Sequence, residues 1–184
     1  APLFAMVGRL TPQKGVNLVP HIIESCLPDN ARFVILGTGY PELEWSMRDC
    51  ENRHKGRVCS YIGYNSDLSH RIYAASDFFL MPSAFEPCGI SQMISMRYGT
   101  LPIVHETGGL RDTVQPYNQY TGEGVGFSFA RFDGWDAVEA CKRALSVFGD
   151  KDIMSRLIQN AMERDFGFGQ CAHMYAELYR TMVQ

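Results

Sequence analysis

The stretch Pro82–Val114, PSAFEPCGISQMISMRYGTLPIVHETGGLRDTV, decides the fold. The run just before it, Phe78–Met81, is apolar and of strand length. It leads into a turn that carries a lone carboxylate, Glu86. Pro87 fixes the backbone there, and the small residues Cys88 and Gly89 follow. The pattern predicts a helix from about Ile90 to Gly99, with Ser91 in its first turn. A strand over Leu101–Val104 and a second glycine turn, Thr107-Gly108-Gly109, come next. In strand-to-helix turns of this kind the unpaired N–H groups of the first helical turn attract anions. Glycine lets a ligand approach the backbone. Two such turns on neighbouring strands would line the crevice beyond the carboxyl ends of a parallel sheet.

Working outward, the same alternation runs through most of the chain. Strands are predicted at Leu3–Val7, Arg32–Leu36, Val58–Ile62 and Gly126–Phe129. Helices are predicted after Asn17 as a cap, from about Pro41 to Asn52, and after Ser66 as a cap. Three more close the chain, over 135–148, 151–164 and 170–183; the last carries Met174, Tyr175, Leu178 and Met182 on one side. Alternating strands and helices imply an α/β fold with a doubly wound, Rossmann-like parallel sheet of about six strands. No repeat, low-complexity segment or linker interrupts residues 1–184, so one domain is expected.

Composition narrows the function classes. A hydrophobic content of 46% with 20% charged residues suits a packed globular protein. The net charge of −3 argues against general binding to nucleic acid or membrane surfaces. No apolar run is long enough to span a bilayer. The 6 cysteines show no C-x-x-C or zinc-like spacing and read as reduced thiols. Histidines 21, 54, 70, 105 and 173 are scattered, and Asp150-x-Asp152 reads as a helix cap, so no metal is expected. The chain opens almost directly on a strand with no visible signal peptide, as a piece of a longer protein would.

Several residues are candidates for chemistry. Arg9 and Lys14 sit on the loop after the first strand, where two cations suit a diphosphate or are simply solvated. Gly37-x-Gly39 is a tight turn or a nucleotide contact; the third glycine of a dinucleotide fingerprint is replaced by Glu42. Tyr64 ends the third strand, where an aromatic ring either packs or stacks on a base. Glu86 is either a solvated carboxylate or a ligand group.

These motifs, in this order, resemble bacterial glycogen synthases and plant starch synthases. The resemblance rests on R-L-x-x-Q-K-G at Arg9–Gly15, I-G-Y at Ile62–Tyr64, FEPCG at Phe85–Gly89, MRYGT at Met96–Thr100, P-I-V at Pro102–Val104 and TGGLRDTV at Thr107–Val114. It extends from Leu3 to about Tyr179, through Asp165-Phe166-Gly167-Phe168. Such enzymes are retaining glucosyltransferases with a two-lobed GT-B fold. The resemblance implies the C-terminal, nucleotide-binding lobe of an enzyme moving glucose from ADP-glucose to an α-1,4-glucan, without a metal, in the bacterial cytoplasm or plastid stroma. It implies that Arg9 and Lys14 stabilise the departing diphosphate and that Tyr64 stacks on adenine. It also implies that Glu86 contacts the sugar. The Cys88, Gly89 and Ile90 N–H groups and the Ser91 hydroxyl would hold sugar or phosphate oxygens. Gly37 and Gly39 would lie near the nucleoside, and Thr107 and Gly108 beside the cleft. A second glutamate common in the wider retaining GT-B group is replaced by Ile94, which leaves Gln92 as a guess for the ribose. His70 reads as a helix-surface residue. A sucrose- or trehalose-type synthase lobe and a non-catalytic nucleotide- or glucan-binding module are the alternatives.

Overall fold

In a parallel sheet covered on both faces, the central strands have no polar side. Phe78–Met81 and Leu101–His105 meet that condition, with every residue buried. In the computed structural model of the chain, residues 1–182 are described, the side chains of Gln170 and Cys171 excepted. The strands are β1 (Leu3–Val7), β2 (Arg32–Gly37), β3 (Val58–Ile62), β4 (Phe78–Met81), β5 (Leu101–His105) and β6 (Phe127–Phe129). They form one sheet in the order β3-β2-β1-β4-β5-β6, and every pairing is parallel. The expected doubly wound α/β fold is therefore present.

The helices are α1 (Val19–Cys26), α2 (Pro41–Arg53), α3 (Ser66–Ala75), α4 (Ser91–Arg97), α5 (Gly108–Thr113), α6 (Gly134–Phe148), α7 (Lys151–Met162) and α8 (Phe168–Met182). α1 packs against α2 and α6, while α4 packs against α3 and α7. The chain order reverses between β1 and β4, so the strand ends diverge there and leave a crevice. Phe78 anchors the core. It is fully buried, 5.0 Å from the Phe4 ring and 6.1 Å from both Phe127 and Phe148.

Local capping differs from the sequence reading at two places. Asn17 lies in a short 3-10 turn and caps nothing; α1 begins two residues later, with Pro20 in its first turn. Asn65, not Ser66, caps α3, its Oδ1 accepting from the Leu68 N–H at 2.9 Å. Asp150 does cap α7, accepting from Asp152 and Ile153 at 3.0 and 3.1 Å. The second glycine turn opens directly into a helix, α5, where the sequence predicts only a turn. Met174, Tyr175, Leu178 and Met182 are all exposed on α8. Val183 lies outside the described residues. Cys26, Cys50, Cys59, Cys88 and Cys141 are free thiols.

Phe78→Ala should cost about 3–5 kcal/mol, because the surrounding rings cannot collapse into the vacated space. Asp150→Ala should cost about 1 kcal/mol, the value of one cap. Equilibrium urea denaturation measures both, and equal losses would contradict the central place given to Phe78.

Candidate functional site

The loops at the carboxyl ends of the strands are built backbone against backbone. After β1, the Leu10 N–H donates to the Thr38 carbonyl at 2.9 Å and the Tyr40 N–H donates to the Leu10 carbonyl at 2.9 Å. A Cβ on Gly37 would overlap the Gly8 carbonyl, and one on Gly39 would overlap the Leu10 carbonyl. These two glycines brace the Arg9 loop. Gly37 also lines a cleft of about 250 Å³ between the ends of β1, β2 and β3, together with Gly8, Arg9, Thr38, Tyr64 and Asn65. Gly39 does not line it. Arg9 is exposed at the rim, and Tyr64 is 90% exposed, a ring with one wall and one open face.

The loops after β1 and β4 are joined as tightly. Gly15 has a left-handed backbone, φ 71°, and a Cβ there would overlap the Pro82 carbonyl. The Ala84 N–H donates to the Gln13 carbonyl at 2.8 Å, and the Gln13 amide donates to the Phe85 carbonyl at 3.2 Å. This lacing brings the Lys14 ammonium onto Glu86 Oε2. Glu86 is only 7% exposed, so the solvated reading is wrong. The Ser83 hydroxyl also donates to Oε2, at 3.3 Å. His105 Nδ1, buried on β5, donates in turn to the Ser83 carbonyl at 2.8 Å. Lys14, Ser83, Ser91 and Gly8 surround a small cavity of about 50 Å³ in the crevice between β1 and β4.

The remaining candidates divide. Gly108 has φ 44°, and a Cβ on it would overlap the Glu86 carbonyl; one on Gly109 would overlap the Cys88 carbonyl. The Gly109 N–H donates to the carbonyls of Glu86 and Pro87, at 3.1 and 3.2 Å. The Thr107-Gly108-Gly109 turn is thus pressed against the Glu86 loop, a packing role. Cys88 and Ile90 are exposed, Gly89 is buried with φ 74°, and Ser91 and Thr107 are half-buried. Burial pushes the Tyr73 phenol up, and a hydrogen bond from Ser91 pulls it the other way. With seven residues in α4 and six in α5, few peptide dipoles align behind these turns.

One guess is corrected. Gln92 is fully buried, and its amide donates to the Cys88 and Gly89 carbonyls and to Thr113 Oγ1, at 3.2, 3.1 and 3.0 Å. It stiffens the loop and cannot meet a ribose. His70 is an exposed residue of α3, as expected, and pairs with the Tyr98 hydroxyl at 2.9 Å, outside the cleft lining. The sequence reading missed Thr38, Asn65, Ser66 and Ser69, which line the cleft beside Tyr64. The cap at Asn65 was the readable signal for this group. It also missed the His105–Ser83–Glu86 chain, which depends on the β4–β5 register. Among the described residues, no three His, Cys, Asp or Glu side chains converge as a metal site would require.

A family model described as "Glycosyl transferases group 1" matches residues 1–164. The chain belongs to that family. Within the family it is similar to the glycogen synthase of Exiguobacterium sibiricum, at 50% identity over 182 residues, 99% of this chain and 38% of the relative. The glycogen synthase of Lactococcus lactis is 49% identical, over 98% of this chain and 38% of the relative. Among solved structures, the catalytic domain of starch synthase IV from Arabidopsis thaliana, bound to ADP and acarbose, superposes with a TM-score of 0.88. It is 39% identical, over 98% of this chain and 38% of that one. A sucrose-phosphate synthase from Thermosynechococcus elongatus shares the fold, with a TM-score of 0.74 at 23% identity, over 99% of this chain and 45% of that one. The chain spans about two fifths of the length of the curated relatives it matches.

In this family member the Lys14–Glu86 pair is partly desolvated, so removing one partner strands the other. Lys14→Met should destabilise the chain by about 1–3 kcal/mol. Adding Glu86→Gln should recover part of that loss. A double-mutant cycle by chemical denaturation reads the coupling; strictly additive losses would mean that the pair contributes nothing.

Proposed function

We propose that the chain is the nucleotide-sugar-binding lobe of a glycogen or starch synthase with a GT-B fold. The whole enzyme transfers glucose from ADP-glucose to the 4-OH end of an α-1,4-glucan with retention. The products are ADP, a glucan longer by one unit and a proton. The observation that carries this reading is the meeting of Lys14 and Glu86 in the crevice between β1 and β4, beside the cleft of Arg9 and Tyr64. A cation for a diphosphate and an acceptor for sugar hydroxyls are wanted side by side there, and ADP and acarbose occupy the related starch synthase IV.

In this reading the adenine stacks on the open face of Tyr64, and Arg9 spans the diphosphate. Lys14 exchanges Glu86 for a phosphate oxygen when the donor arrives. As the bond from C1 to the diphosphate breaks, negative charge grows on the leaving oxygen, and the two cations stabilise it. Glu86, released from Lys14, accepts from sugar hydroxyls and faces the developing positive charge at C1. The Cys88–Ser91 segment supplies further donors to the sugar and phosphate. Thr107 and Gly108 hold the Glu86 loop from behind, and Gly37 and Gly39 hold the Arg9 loop. No metal is assigned. The acceptor site and the rest of the sugar site belong to the other lobe, outside this chain. The exposed apolar side of α8 is read as the surface turned towards that lobe. The expected compartment is the bacterial cytoplasm or the plastid stroma.

Calorimetric titration tests this reading. ADP should bind the 184-residue chain. Arg9→Ala and Lys14→Ala should each weaken it about ten-fold or more, the scale of a charge-assisted hydrogen bond. Tyr64→Ala should cost about 1–3 kcal/mol of stacking, and UDP should bind more weakly than ADP. The chain alone should transfer no glucose. Unchanged ADP affinity in all three variants would overturn the site, and turnover by the isolated chain would overturn its assignment as half of one.

A further inference from the structure

A second concave site lies at the other end of the sheet. The segment 115–126 runs from α5 to the start of β6 and borders a depression of about 790 Å³, closed on its far side by the last turns of α6 and the first turn of α7. The nucleotide cleft opens at the carboxyl ends of the strands. β6 is parallel to the rest, so its beginning belongs to the opposite edge.

The segment is braced. The Tyr117 N–H donates to the Gly126 carbonyl at 2.8 Å, and the Val125 N–H donates to the Gln115 carbonyl at 2.9 Å. The Asn118 N–H donates to the Glu123 carbonyl at 2.8 Å, and Asn118 Oδ1 accepts from the Tyr120 N–H at 2.9 Å. Tyr117 is half-buried against the Phe127 ring, 6.1 Å away. Tyr120, two hydrogen bonds from that anchor, is 89% exposed. The fold gains nothing from holding a tyrosine out on a stiff loop. Such a ring is a prepared platform, because little conformational entropy is lost when a ligand covers it.

The polar groups around the platform both donate and accept hydrogen bonds. Gln115, Asn118 and Gln119 offer amides, Glu123 a carboxylate and Arg143 a guanidinium. One Arg143 nitrogen donates to the Ser128 carbonyl at 2.6 Å, which fixes the fork against the sheet edge and leaves its other N–H donors to the depression. One negative and one positive charge leave the lining without net charge, which disfavours a phosphate or a nucleic acid. An aromatic face takes the C–H side of a pyranose ring, and amides, carboxylate and guanidinium take its hydroxyl pairs. The volume lies within the range of ligand sites. A second depression of about 340 Å³ shares Gln115 and Glu123 and continues past Asn160 and Arg164. A chain of sugars could therefore cross the ridge between the two.

We infer that the depression beneath Tyr120 is a second, non-catalytic binding site for an oligosaccharide segment of an α-1,4-glucan. The choice of an α-glucan rests on the function proposed above; the carbohydrate chemistry of the lining does not.

Maltoheptaose is the probe, titrated into the 184-residue chain by calorimetry, with a β-1,4-linked oligosaccharide as control and ADP titrated into the same samples. The wild type should bind maltoheptaose in preference to the β-linked control. Tyr120→Ala should weaken that binding about ten-fold or more, the scale of a lost stacking contact, and leave ADP affinity unchanged. Tyr64→Ala should do the reverse. Tyr120 is solvent-exposed, so its removal should leave the unfolding midpoint where it was. Absence of maltoheptaose binding, or equal binding by Tyr120→Ala, overturns the second site whatever ADP does. Loss of ADP binding with maltoheptaose still held through Tyr120 overturns the donor reading and leaves the second site standing.

Discussion

No side chain fits at Gly15. Its Cβ position is filled by the Pro82 carbonyl, and its backbone is left-handed, so two separate requirements fall on one residue. The consequence reaches well past the turn. The loop after β1 is pressed onto the loop after β4, and Lys14, the residue before Gly15, is delivered to Glu86. The same device recurs at Gly37 and Gly39 against Gly8 and Leu10, and at Gly108 and Gly109 against Glu86 and Cys88. The loops after β1, β2, β4 and β5 lean on one another through these glycines. The frame of the site is thus held by backbone packed on backbone.

Rigidity of the frame and exchange of partners within it are compatible because they involve different atoms. The frame is backbone on backbone. The exchangeable part is one ion pair, whose Coulombic gain is largely cancelled by desolvation. A pair of that kind contributes modestly to stability and can give way to a stronger anion. In the proposed exchange Ser83, held through His105 on the adjacent strand, would keep a donor on Glu86 while Lys14 turns to the phosphate. The carboxylate is then never without a partner in a site where an unpaired charge would be costly.

What was legible in the sequence followed from periodicity and punctuation. Apolar runs of four to six residues, separated by turn residues and amphipathic helices, are enough to specify a parallel α/β sheet, because few other arrangements bury such strands on both faces. The identity of Arg9, Lys14, Tyr64 and Glu86 as candidates was legible from their place after strands and from motif resemblance. Their mutual geometry was not. That Glu86 meets Lys14 follows from contact between loops 72 residues apart, which no local pattern reports. Gln92 misled for the same reason: an amide one residue into a helix looks available until the loop folds over it. Asn17 and Ser66 were plausible caps, and the structure chose neighbours because the preceding turns, not the caps, set where the helices begin.

The two concave sites stand at opposite edges of one sheet, and in the function proposed here that separation suits a polymer substrate. A branched glucan presents many chain segments at once. A lobe that grips one segment at the β6 edge keeps others near the crevice at an effective concentration set by the polymer itself. Weak binding at the second site is the useful kind: it must release as readily as the growing chain moves. A platform of one exposed ring with neutral hydrogen-bonding surroundings fits that need better than a deep, charged pocket. In the same proposal the small anionic donor is taken at the other edge, by the cations Arg9 and Lys14 beside the crevice between β1 and β4.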